Sequence, residues 1–150
     1  MRLESGLSLQ QEVGWDRATV RAARLLAEAQ DQPFLVTSPA AIGDQLARWQ
    51  EAFPLVRPTV AAITSSPATL ATLSSMGVAF TFTSKKELVG LSSLAGVDLT
   101  SATFANSVKL GSHLRAAASY GVTSVYCDSV EELEKIKRFH PQARYERCFQ

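Results

Sequence analysis

The feature that most constrains this chain is an alternation. Short runs rich in Val, Ile, Phe, Tyr and Thr are each followed by a helix-forming run that opens, in most cases, on serine. "PFLVTS" (33–38) reads as a strand and "PAAIGDQLARWQEAF" as a helix capped by Ser38 with Pro39 in its first turn. "TVAAI" precedes a second Ser-Pro start and "SPATLATLSSM", which Gly77 closes. "VAFTF" leads into "SKKELVGLSSLA", where Ser84 and Glu87 have the spacing of a capping box. "ATFA" leads into "SVKLGSHLRAAASY", ended by Gly121, and "TSVYC" into "SVEELEKIKRFH", with Ser129 and Glu132 at the same spacing and Pro141 as the stop. "RYERCF" is a sixth, weaker strand. A helix between successive strands returns the chain to the same end of the sheet each time, so the strands are parallel. An open doubly wound sheet and a (β/α) barrel both satisfy this. A full barrel takes eight units and about 250 residues, so six strands predict a partial barrel with exposed edges.

The totals narrow the functional classes. With 15 basic and 14 acidic residues the net charge is +1, which argues against a broad nucleic-acid footprint. No apolar run approaches the roughly 20 residues of a membrane span, and the N-terminus has no continuous apolar core of the signal-peptide kind. Cys127 and Cys148 are the two cysteines, and we expect reduced thiols and a cytoplasmic protein. Residues 1–32 are expected to be an N-terminal helical extension, with a helix from the N-cap Asp16 and an apolar stripe at Val20, Leu25 and Leu26. Residues 33–150 are expected to be the barrel-like domain.

The ends of the strands, where α/β folds place their chemistry, carry few reactive groups. "TVAAI" runs into Thr64-Ser65-Ser66-Pro67 without a Lys, His, Asp, Glu or Cys. Lys85 and Lys86 fit a solvated first turn, and Lys109 a surface position where its helix starts. His113 is one turn from Lys109 but has no third ligand for a metal. His140 sits at a helix end, where a cation complements the dipole. Ser65, Ser66 and Ser84 fit capping roles, with no His patterned near them.

Several segments together resemble the eukaryotic ornithine decarboxylase family, which includes the antizyme inhibitors. They are "PFLVTSPAAIGDQLARWQEAFPLVRP", "LSSMGVAFTFTSKKEL" and "ATFANSVKLGSHLRAAASYGVTSVYCDSVEELEKIKRFHPQAR", in order from about Pro33 to Arg144. "AN..K", the "GV…D" step and "HP.A" after "EL.K" are the specific elements. The resemblance implies an alanine-racemase-like barrel that binds pyridoxal phosphate. It also implies that this chain holds only the first part of that barrel.

The family's cofactor lysine, at the end of its second strand, falls on Ile63, or on Ala62 if the gap is placed differently. Neither can form a Schiff base, which needs a primary amine. The family's third-strand aspartate falls on Thr81. Glu87 matches a family glutamate and equally fits its capping role. Arg147 is one position away from a family arginine, with Cys148 in that place. The remaining family parts would lie beyond residue 150. From these matches we expect no catalytic residue, no bound cofactor and no metal. The region from His113 to Arg138 resembles the element that antizyme grips, and Arg115, Lys135, Lys137 and Arg138 there are the expected partner-binding residues. The implied role is a catalytically inactive relative that binds antizyme or a decarboxylase subunit, with no nucleic acid or membrane as partner. The alternative is a decarboxylase fragment or isoform that lacks activity on its own.

Overall fold

A computed structural model of the chain describes residues 16–29, 36–64 and 66–147. The chain divides into two compact units, Met1–Val56 and Arg57–Gln150.

The described residues of the first unit form two helices. Helix α1 (Arg17–Ala29) starts where Asp16 accepts a hydrogen bond from Thr19 N at 2.7 Å, the N-cap its sequence predicts. The Arg17, Arg21 and Arg24 stripe is exposed, but so are Leu25 and Leu26. Helix α2 (Pro39–Ala52) is capped by Ser38, whose side chain accepts from Ala41 N. The strand expected over "PFLVTS" lies at residues 33–35 outside the described residues, and residues 36–38 are not strand. Trp49 and Phe53 meet at the end of α2 in a tilted pair, with ring centroids 5.1 Å apart and planes at 48°, and Trp49 Nε1 donates to Val56 O at 2.8 Å.

The second unit is a parallel sheet wrapped by helices. Strands β1 (Thr59–Ala61), β2 (Ala79–Phe82), β3 (Thr103–Phe104), β4 (Ser124–Cys127) and β5 (Arg144–Arg147) lie side by side in sequence order, every pair parallel. Between them run α3 (Pro67–Ser75), α4 (Lys85–Ser92), α5 (Gly111–Ser119) and α6 (Val130–Phe139). Among the described residues the sheet is open, with β1 and β5 as its edges. The expected partial barrel of parallel strands is therefore what the chain forms, with five strands among the described residues.

Because strand side chains alternate faces, one side of the sheet carries Phe82, Phe104 and Val125 in register. All three are buried, as are Leu88, Leu91, Leu114 and Ile136 of the helices. Phe82 and Phe104 stack with centroids 4.9 Å apart. The opposite face presents Ala61, Thr81, Thr103, Ser124 and Arg144 in one cross-strand row. A complete barrel fills this side with branched apolar residues; here the row is mostly hydroxyls.

Turn chemistry explains the helix stops. Gly77 and Gly121 take φ of +75 and +76, where a side chain would be strained. Arg57 adds a two-pronged bond to the carbonyl beyond α3, its Nε and Nη2 donating to Gly77 O at 3.2 and 3.0 Å.

Candidate functional site

The mouth of the sheet is where its strands hand over to helices. At the end of β1 a 3-10 turn covers Ala62–Thr64. Ala62 is 7% exposed and Ile63 is 65% exposed. Both positions expected from the sequence to match the family's cofactor lysine carry hydrocarbon side chains. One strand along, Thr81 is half-buried in the hydroxyl row, between Ala61 and Thr103. Lys85 and Lys86 are exposed on the first turn of α4, as expected of a solvated helix start.

Glu87 is fully engaged in capping. Ser84 Oγ accepts from Glu87 N, and the Glu87 carboxylate receives Ser84 Oγ at 2.7 Å, Thr83 Oγ1 at 2.9 Å and Thr83 N at 2.9 Å. The reciprocal bond thus goes one residue further back than a standard capping box would take it. Burial alone would raise this carboxyl. The bonds from Ser84 and from the Thr83 backbone and hydroxyl outweigh it and hold the group below its ordinary 4.5.

Lys109 is where the structure departs most from the sequence-based expectation. It is not a surface residue: its side chain is fully buried. Its Nζ donates to Asn106 O at 2.7 Å, Tyr126 O at 2.8 Å and Ser107 O at 3.2 Å, and lies 3.3 Å from Glu132 Oε2. The ammonium therefore ties the loop after β3 to the end of β4 and to the first turn of α6. This also explains why α5 begins at Gly111 rather than at Ser107. The carbonyls of Asn106 and Ser107 are turned to the lysine, and Leu110 stands at the N-cap without a side-chain bond. His113 and Lys109 accordingly do not share a helical face. No group of three or more His, Cys, Asp or Glu suited to a metal occurs among the described residues.

Glu132 is the second surprise. Ser129 caps α6 as its spacing predicts, accepting from Glu132 N. The Glu132 carboxylate does not return to the cap. It is buried and holds Lys109 on one side and Lys135 on the other. Burial pushes it up, but the hydrogen bond from Lys135 and the charge and bonds of Lys109 hold it below 4.5. Both carboxylates titrate lower folded than unfolded. Between those two values the unfolded chain binds more protons, so stability gained from Glu87 and Glu132 is present above about 4.5 and lost as pH falls through the folded values. Urea titrations from pH 6 downward are expected to show this loss, and Glu87→Gln is expected to flatten it.

His140 is likewise not exposed at its helix end. It is buried, with Nε2 2.7 Å from Val122 O, while Nδ1 has no hydrogen-bond partner among the described residues. It links the end of α6 to the segment before β4.

The expected partner-binding residues divide into two kinds. Lys135 is half-buried and spends its ammonium on Glu132. Arg115, Lys137 and Arg138 are exposed, and neither arginine lies within ion-pair distance of a carboxylate among the described residues. The guanidinium carbons of Arg115 and Arg138 stand over one ring, that of Phe139, 4.9 and 5.2 Å from its centroid. Residue spacing places Arg138 near Phe139 but gives no sign that Arg115 joins them. The side chain of Arg147 and all of Cys148 fall outside what is described.

A parallel sheet with its chemistry-bearing turns at one mouth defines the first part of a β/α barrel. Residues 40–146 match the family "Pyridoxal-dependent decarboxylase, pyridoxal binding domain", and the chain belongs to that family. It is 37% identical over 117 residues to an ornithine decarboxylase of Leishmania donovani, covering 75% of this chain and 16% of that protein. It is 32% identical over 112 residues to antizyme inhibitor 1 of Mus musculus, covering 74% of this chain and 25% of that protein. Among solved structures, SrLDC in complex with PLP and cadaverine superposes with a TM-score of 0.75 at 27% identity, over 87% of this chain and 34% of the other. The chain thus spans only a minor part of the proteins it matches.

These matches bear out the resemblance drawn from the sequence. They overturn the expectation that no cofactor belongs to this chain, because the matched domain is a pyridoxal-binding one and pyridoxal phosphate is the family's cofactor. The residues at the β1 end do not fit the covalent form of that cofactor. An imine needs a primary amine, and Ala62 and Ile63 offer none. Lys109, the buried amine near the mouth, is already surrounded by three carbonyls and a carboxylate.

Proposed function

We propose that this chain is a catalytically inactive member of the ornithine decarboxylase group that acts by binding, in the manner of an antizyme inhibitor. The observation that carries the proposal is the pairing of two features on one domain. The end of β1 carries Ala62 and Ile63 and no amine, while the helices from His113 to Arg138 keep an exposed basic surface at Arg115, Lys137 and Arg138. A concentrated positive surface steers an acidic partner and adds specificity more than raw affinity. Antizyme, or a decarboxylase subunit, is the partner that the family relationship favours. No helix among the described residues is long and apolar enough to cross a membrane; the cytoplasmic location we propose rests instead on the sparing use of cysteine, two in 150 residues.

The test is a titration of the purified chain with antizyme, run beside an assay for carbon dioxide release from ornithine. Micromolar or tighter binding without decarboxylation is expected. Release of carbon dioxide by the chain alone would overturn the inactive assignment, and failure to bind antizyme would remove the proposed partner. One observation favours a second reading: the chain covers 16% and 25% of the two relatives above. It would then be a portion of a decarboxylase that depends on other segments. Activity appearing when the remaining barrel segments of a relative are added in trans would favour that reading.

A further inference from the structure

We infer that β5 is a self-recognition strand: two copies of this chain pair antiparallel along their β5 edges, about a two-fold axis at Tyr145, and so join two sheets into one. The inference does not depend on the binding role proposed above.

The backbone sets the geometry. Arg144 N donates to Thr123 O at 2.7 Å, so the main-chain groups of Arg144 face β4. Such groups alternate sides along a strand. The N–H and C=O of Tyr145 therefore face away from β4, on a side where no strand among the described residues pairs with β5. When two such edges meet antiparallel, Tyr145 opposite its own copy exchanges both N–H···O=C bonds. That register sets Arg144 of each copy opposite Glu146 of the other.

The side chains fit this register on both faces. Arg144 and Glu146 lie on the hydroxyl face, in register with Ser124 and Tyr126, and both are exposed. Neither joins the ion pairs formed among the described residues. Glu146 takes the Ser124 hydroxyl on Oε1, and Arg144 Nη2 reaches Thr123 Oγ1 at 3.4 Å. The second carboxylate oxygen and the rest of the guanidinium stay available. Opposite charges directly across a strand pair stabilise it, and like charges oppose it. The two-fold makes the Arg–Glu contact twice, whereas an in-register parallel pairing would set arginine against arginine. A slip by one residue would put Tyr145, whose side chain is on the core face, opposite Glu146.

On that core face Tyr145 extends the row of Phe82, Phe104 and Val125 to the sheet edge. Phe104 and Val125 are fully buried, but Tyr145 is 55% exposed. It lines a groove of 500 Å³ with Cys127, Leu133 and Val130, which is 68% exposed. The core thus runs out open at the edge, and the two-fold closes it by bringing the tyrosines of both copies together. Charges blunt an edge strand when they repel what approaches; here they complement a second copy. The interface is isologous, the same patch meeting itself.

The experiment is sedimentation equilibrium of the full chain from micromolar to near-millimolar concentration, for wild type, Arg144→Glu, Glu146→Arg, the exchanged double variant Arg144→Glu/Glu146→Arg, and Tyr145→Pro. Wild type is expected to dimerise reversibly, and more weakly as salt rises. Each single charge variant turns two attractive pairs into two repulsive ones and is expected to weaken dimerisation by about tenfold or more. The double variant restores both pairs in reversed sense and is expected to recover most of that loss, which only the antiparallel register predicts. Tyr145→Pro removes an N–H that makes no bond to β4, at a position where an edge strand accepts proline, and is expected to abolish the dimer. Circular dichroism melts and protection of the Val125 amide from hydrogen exchange show which variants keep β4 and β5 folded. A monomeric wild type throughout the range overturns the inference. So does a dimer that a folded Tyr145→Pro retains, and so does a folded double variant that dimerises no better than the single ones.

Discussion

Replacing Lys109 by methionine is expected to cost about 3–5 kcal/mol of unfolding free energy, the usual penalty for removing one partner of a buried ion pair. The side chain is fully buried. Its loss strips the donor from the carbonyls of Asn106, Ser107 and Tyr126 and leaves Glu132 with Lys135 as its remaining ion-pair partner. Methionine fills the volume but supplies no donor, and buried acceptors without a donor carry a penalty of their own. Thermal melts should fall by about 10 °C for a chain of this size. Glu132→Gln is expected to be milder, because the ammonium retains its three carbonyls. The ordering is the sharper check: chemical denaturation in which Glu132→Gln is the more damaging would reverse the account of what anchors the loop after β3.

Phe104→Ala should be comparably damaging, at about 3–5 kcal/mol. The residue is completely buried in a strand of two residues, and its ring stacks on Phe82 at 4.9 Å with an interplanar angle of 19°. The truncation removes apolar contact, leaves a cavity and takes away an aromatic pair worth about 0.5–1.5 kcal/mol beyond its area. With native domains stable by only about 5–15 kcal/mol, this should expose β3 throughout to hydrogen exchange. Val130→Ala, at a position 68% exposed, is the control and should change the urea midpoint little. A Phe104→Ala midpoint as close to wild type as that of Val130→Ala would mean that the two phenylalanines are not the centre of the core.

The alternation of strands and helices was readable because each helix declares its own ends. Ser38, Ser66, Ser84 and Ser129 cap where their spacing says they should, and Gly77 and Gly121 adopt the positive φ that stops a helix. These are local interactions within four residues, and local chemistry is visible in a linear string. Lys109, Glu132 and His140 were misplaced for the opposite reason. Their partners lie 17 to 23 residues away, at Tyr126, Lys109 and Val122. A lysine after a strand looks like a surface lysine until the fold brings carbonyls to it. The same limit hid the arginine pair. Arg138 and Phe139 are neighbours in sequence, but Arg115 reaches the ring only through the packing of α5 on α6. That Ala62 and Ile63 carry no amine, by contrast, needs no three-dimensional knowledge, since it holds in any conformation.

The contact between Gly111 and Phe139 bears on which substitutions the seam between α5 and α6 tolerates. With the ring where it is, a Cβ at 111 would lie 2.7 to 3.0 Å from three of its carbons, so a side chain gained there obliges the ring to turn aside. Any such change at 111 is thus expected to alter the posture of the ring at 139, and with it the seats of Arg115 and Arg138.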